Sequence, residues 1–168
     1  MTATSTTQTN DRDIVITREF AAPRQLVWDA WTKPEQIEKW FGPKGFDTRV
    51  DEQDFKVGGR SVYVMIGPDG KEYPAAGVFK EIVPIEKIVS SADGFSEEFR
   101  AAHPDMDLPK GTTVMTYVFD DLGERTKLTL TTTHSSVEEK NKHAAMGVVE
   151  GWGSSFDKLD EFLNSAQS

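Results

Sequence analysis

Between Ser136 and Leu163 the side chains Ala145, Val148, Val149, Trp152, Phe156, Leu159 and Leu163 recur mostly at steps of three and four. That period puts them on one side of a helix. Ser135 precedes Glu138 by three and Ser136 precedes Glu139 by three, so either serine can open the helix with a capping box. Glu138 and Lys142 then form an i,i+4 ion pair on the polar side. One helix over this span is about 40 Å long and needs a broad apolar partner. Gly147, Gly151 and Gly153 interrupt the stripe, each costing about 1 kcal/mol relative to alanine inside a helix. Two readings follow. Either another element approaches the helix backbone closely, or a ligand-sized space lies open beside it.

A partner for that stripe must come from the rest of a 168-residue chain, long enough for one domain with a sizeable core. Ten phenylalanines, four tryptophans and three tyrosines supply the apolar surface. With 19 basic and 28 acidic residues the formal net charge is −9, which disfavours nucleic acid and anionic membrane surfaces as partners. There are no cysteines, so disulfides, thiolate nucleophiles and cysteine metal sites are excluded, in keeping with a reducing, cytoplasmic setting. No apolar run reaches the roughly 20 residues that span a bilayer. Residues 1–12 read as a floppy tail without a signal sequence, residues 13–164 as the domain and 165–168 as a second tail.

From Asp13 the chain predicts a strand ending at Phe20, then a short helix begun by Pro23 with Leu26, Val27, Ala30 and Trp31 on one face. A second short helix after Pro34 carries Ile37, Trp40 and Phe41, and the pair suits a lid or brace. Beyond Phe46 the period becomes two. Strands are predicted at Phe46–Glu52, Arg60–Ile66, Glu72–Ile82, Ile85–Ser91, Thr112–Phe119 and Arg125–Thr133. A tight turn at Gly58-Gly59 and a type I turn at Gly67-Pro68-Asp69-Gly70 join them. Short connections imply antiparallel pairing. Asp93 to Lys110 is too long for a simple hairpin and suggests a helical turn near Ser96–Ala102.

Six phrases in this order carry a resemblance: PRQLVWDAWTKPEQIEKWFGP (Pro23 to Pro43), KVGGR (Lys56 to Arg60), GPDGK (Gly67 to Lys71), GVFKEIVPIEKIV (Gly77 to Val89), RTKLTLTTT (Arg125 to Thr133) and MGVVEGWGSSFDKLDEFL (Met146 to Leu163). Together they resemble the activator of heat-shock protein 90 ATPase C-terminal-domain-like family, within the START-like, polyketide-cyclase-like superfamily. The resemblance implies an α+β helix-grip fold: a curved antiparallel sheet wrapped around the long C-terminal helix, with a cavity between them. It also implies two alternative activities, a co-chaperone that binds heat-shock protein 90 and stimulates its ATPase, and a cyclase or dehydratase. The eukaryotic co-chaperones of this family carry a separate N-terminal domain, whereas only Met1 to Arg12 precede the first strand here.

Chemistry is sparse. His103, His134 and His143 lack paired-ligand spacing, so neither a metal site nor a cofactor is expected. His143 falls on the polar side of the helix. No G-x-S-x-G or phosphate-cradling loop is present. Glu81 and Glu150 are the candidate buried acids that a cyclase would require. Aromatic and methionine side chains make the stronger pattern: Trp40, Phe41, Tyr63, Met65, Phe79, Tyr117, Met146 and Trp152 are the predicted ligand-binding residues, lining an apolar chamber. The expected function is therefore non-enzymatic binding of an apolar, aromatic or lipid-like small molecule. A homodimer through the lid edges is an alternative to a monomer.

Overall fold

Alternation of apolar and polar residues folds most of the chain into one sheet. The computed structural model describes residues 6–92, 97–105 and 111–167. Among these, eight strands run antiparallel: β1 (Thr6–Thr9), β2 (Asp13–Phe20), β3 (Asp47–Gln53), β4 (Arg60–Ile66), β5 (Glu72–Val83), β6 (Lys87–Ala92), β7 (Thr113–Asp121) and β8 (Thr126–Thr133). Their order across the sheet is β1-β2-β8-β7-β6-β5-β4-β3. The register puts Ile16 opposite Leu130, Leu130 opposite Tyr117 and Tyr117 opposite Ile88. These side chains share one face, because neighbours along each strand point to opposite sides. Ile14, Ile16, Phe20, Leu128, Leu130, Phe119, Ile88 and Phe79 are buried.

The helices cover that face. Helix α1 (Arg24–Thr32) and α2 (Pro34–Trp40) bridge β2 to the far edge strand β3, and α3 (Glu97–Ala102) lies in the insertion between β6 and β7. Residues 93–96 and 106–110 of that insertion lie outside the described residues. Helices α1 and α2 brace the sheet. Trp28, Trp31, Ile37 and Trp40 are buried, since Trp28 and Trp31 fall on one side of α1 and the Trp40 Nε1–H donates to the Ala30 carbonyl at 2.8 Å. That bond meets the indole's polar requirement inside the core.

The terminal stripe is two helices rather than one: α4 (Val137–Ala145) and α5 (Val148–Ala166). Gly147 separates them with φ +85°, a left-handed conformation that glycine adopts without steric cost. Ser136 caps α4, its Oγ accepting from the Glu139 N–H at 3.1 Å. Lys142 pairs with Glu139 at 3.6 Å, one residue nearer than the predicted Glu138. Beyond the break, Phe156, Leu159 and Leu163 are buried against the sheet, while Ala145 and Met146 turn outward. Buried Arg18 of β2 reaches α5 and ion-pairs with Asp160 and, at 2.8 Å, with Asp157. On its other flank α5 holds the loop after α2: Lys158 Nζ donates to the carbonyls of Gly42 and Phe46 at 3.2 and 3.0 Å.

Other boundaries differ locally. Thr6–Thr9, predicted as part of a tail, pairs with Ile14–Thr17; its all-polar edge strand has no hydrophobic alternation to announce it. Helix α5 likewise continues through residue 165 to Ala166. Strand β6 begins at Lys87 instead of Ile85, because the Glu86 N–H closes a turn on the Val83 carbonyl at 2.9 Å. The GPDG turn closes the β4–β5 hairpin as expected, with Gly70 N–H on Gly67 O at 2.9 Å.

The histidines form a cluster that residue spacing does not suggest. His143 is not on a wet face: its Nδ1 lies 2.7 Å from His134 Nε2. His134 Nδ1 is 2.9 Å from the Arg12 carbonyl oxygen, so that nitrogen carries the donated hydrogen. With both rings neutral, His134 Nε2 accepts from His143 Nδ1–H. Burial, and then the proximity of His134, push His143 down from the ordinary 6.5 to about 4.

Two predictions follow from these contacts. No heavy atom stands within 4 Å of where a Gly153 Cβ would project, and Gly151 meets only Pro43 Cγ at 3.8 Å. Gly153→Ala should therefore raise unfolding free energy by about 0.5–1 kcal/mol through helix propensity; a loss of stability would mean that the space is needed. For His143, a base kept neutral in the fold binds fewer protons than the unfolded chain between pH 6.5 and about 4, so stability falls as pH drops through that window. Urea titrations should show wild type losing about 2–3 kcal/mol relative to His143→Gln between pH 7 and 4. A difference that stays flat with pH would rule out this linkage.

Candidate functional site

Where α1 and α2 cross the middle of the sheet, the side chains leave a cavity of about 50 Å³. Trp31, Ile37, Trp40 and Phe41 form its helical wall, and Ser61, Tyr63, Phe79, Ile88, Ser90 and Tyr117 form its sheet wall. The strands place them by parity: Ser61 and Tyr63 are two apart on β4, Ile88 and Ser90 two apart on β6, and Phe79 pairs with Ser90 across β5 and β6. This volume holds a few water molecules. It is well below the roughly 300–1,000 Å³ of a drug-sized site, so a larger occupant requires the walls to move.

Five of the predicted ligand-binding residues, Trp40, Phe41, Tyr63, Phe79 and Tyr117, line this cavity. Three do not. Trp152 lies behind the wall, its ring 5.9 Å from Trp31 and 5.7 Å from Phe41. Met65 is one pleat beyond Tyr63, its Cγ 3.7 Å from where a Gly42 Cβ would stand. Met146 is exposed as the C-cap of α4, where Gly147 breaks the helix. The cavity accordingly lies between the sheet and α1–α2 rather than against α5, from which the Trp31 and Phe41 rings separate it. Trp31, Ile37, Ser61, Ile88 and Ser90 also line it and are not among the predicted binding residues. Trp31 had a helical period to announce it and the serines had only strand parity.

Among the described residues the lining is aromatic with a few polar atoms and no charged side chain. The Tyr63 hydroxyl donates to Gln53 Oε1 at 2.8 Å, and Gln53 Nε2 in turn donates to the Thr32 carbonyl. The Tyr117 hydroxyl points to Met115 Sδ at 3.6 Å, a weak acceptor. Trp31 Nε1 is buried without a hydrogen-bond partner. Burial raises both phenols above their ordinary value, opposed at Tyr63 by a hydrogen bond with Ser61 and reinforced at Tyr117 by the nearness of Tyr63. Both therefore stay neutral at physiological pH and act as hydroxyl donors and acceptors.

The candidate acids are elsewhere. Glu81 is partly exposed and ion-paired with Lys87 at 3.1 Å, and Glu150 is exposed on the first turn of α5. Neither reaches the cavity wall, so the carboxylate that proton-transfer chemistry would need there is not supplied by them. Among the described residues no group of three or more His, Asp or Glu side chains could hold a metal ion, and no helix is long and apolar enough to cross a membrane.

Solved structures share this architecture. A protein from Arthrobacter aurescens is 29% identical, with a TM-score of 0.83 over 95% of this chain and 91% of its own. A Mycobacterium smegmatis protein is also 29% identical, with a TM-score of 0.81 over 96% and 97%. One from Nitrosomonas europaea is 27% identical, with a TM-score of 0.76 over 93% and 96%. No match is found among curated proteins. The profile described as "Activator of Hsp90 ATPase homolog 1-like protein" matches residues 21–164, which covers α1 to α4, the six strands β3 to β8 and nearly all of α5. With its helix-grip fold of START-like type, the chain belongs to the Activator of Hsp90 ATPase homolog 1-like family.

Proposed function

We propose that the protein is a non-enzymatic binding domain that takes a small, largely apolar molecule into the cavity beneath α1 and α2. The observation that carries this reading is a cavity ringed by Trp31, Trp40, Phe41, Tyr63 and Tyr117 and edged by Ser61 and Ser90. Apolar walls supply affinity in proportion to the surface removed from water, and sparse polar atoms orient the guest. The START-like fold of the family supports ligand binding at this coarse level. Trp40, Phe41, Tyr63, Phe79 and Tyr117 are then the contact residues, while Trp152 backs the wall.

Benzene titrated into isotopically labelled protein tests the reading. Resonance shifts should concentrate at Trp31, Tyr63 and Ser90, and Ser90→Val, which fills the volume, should weaken binding at least about tenfold. Shifts confined to the outer surface, or a Ser90→Val variant that binds equally well, would contradict it. The family description favours a second reading, association with heat-shock protein 90. Adding this chain to the purified chaperone should then change its ATPase rate, and no binding with an unchanged rate would remove that role.

A further inference from the structure

We propose that the cavity selects a small neutral carbonyl compound, such as a ketone, ester or amide, whose oxygen accepts the Trp31 Nε1–H. The inference rests on the cavity being a ligand site and specifies what that site recognises. Trp31 is only 8% exposed and lines the cavity, yet its Nε1 has no hydrogen-bond partner. A buried donor left unmet is costly and rare in folded proteins, and an indole nitrogen can only donate. Trp40 shows the alternative in the same wall: its Nε1–H is satisfied by Ala30 O at 2.8 Å. The partner that Trp31 needs is therefore an acceptor that none of the described residues provides.

The surrounding groups narrow the class. Among the described residues no charged side chain lines the cavity, so a carboxylate or ammonium would meet no counter-charge from them, against a large desolvation cost. The Tyr63 hydroxyl is committed to Gln53. The Tyr117 hydroxyl, 3.6 Å from a thioether, gives up little by turning to a better acceptor. The Trp31 ring stands 4.7 Å from Trp40 and 5.0 Å from Tyr117, centroid to centroid, leaving flat apolar surfaces for the remainder of the guest. A polar oxygen on a compact apolar body matches this arrangement.

Acetone, 2-methylpropene and acetate have nearly the same shape and separate the terms. In proton–nitrogen spectra of the full chain, acetone should shift the assigned Trp31 indole proton downfield, 2-methylpropene should enter without that shift, and acetate should not enter. The acetone to 2-methylpropene affinity ratio should fall about fivefold in Trp31→Phe. The wild-type indole shift decides the matter even if that variant fails to fold. Entry of 2-methylpropene with no indole response to acetone would overturn the carbonyl assignment while leaving the cavity a ligand site. Equal entry of acetate would overturn the requirement for neutrality. If none of the three enters, the volume holds water only and both the inference and the binding function fall.

Discussion

The ring of Trp31 is the contact on which the arrangement of helices over sheet depends. It packs edge-on to Trp40 of α2, at 4.7 Å, tilts against Tyr117 of β7 and stacks on Trp152 of α5 at 5.9 Å. Phe119 and Phe156 close the circle at 6.3 and 6.2 Å. Each such aromatic pair contributes about 0.5–1.5 kcal/mol beyond the area it buries. One side chain thus joins both short helices, the terminal helix and the centre of the sheet. It also keeps α5 away from the cavity, so the same packing that builds the core sets the boundary of the site.

Around that hub the polar groups divide into two kinds. Those that brace the fold find partners within the chain, although the buried Arg18 Nε is left without one. Arg18 binds the two α5 carboxylates, Lys158 the carbonyls of the loop after α2, and His134 and His143 each other and the Arg12 carbonyl. Those at the cavity are satisfied less completely, most plainly the Trp31 indole nitrogen. Stability alone favours closing such gaps. Of the two buried nitrogens without a partner, Arg18 Nε and Trp31 Nε1, the latter belongs to a residue that lines the cavity.

Much of the fold is legible in the chain because single periods dominate it. Phe156, Leu159 and Leu163 announce their burial by helical spacing, and β4 and the GPDG hairpin follow from alternation and turn chemistry. The features that escape depend on contacts distant in sequence. Gly147 looks like a helix interior residue until it is seen to break the helix between α4 and α5, with Met146 exposed beside it. Thr6–Thr9 becomes a strand only because β2 offers it an edge. His134 and His143 meet because β8 ends where α4 passes. Five cavity residues were readable from aromatic content and strand parity, whereas Ser61 and Ser90 look like ordinary strand serines until the opposing helices frame the space between them.

The central claim is that a real, enterable volume lies against Trp31. A crystal of the protein pressurised with xenon addresses it most directly, since xenon occupies apolar cavities without needing a specific chemistry. The account predicts an anomalous peak enclosed by Trp31, Trp40, Tyr63 and Tyr117. Rings collapsed onto one another, with no xenon between α1–α2 and the sheet, would contradict it.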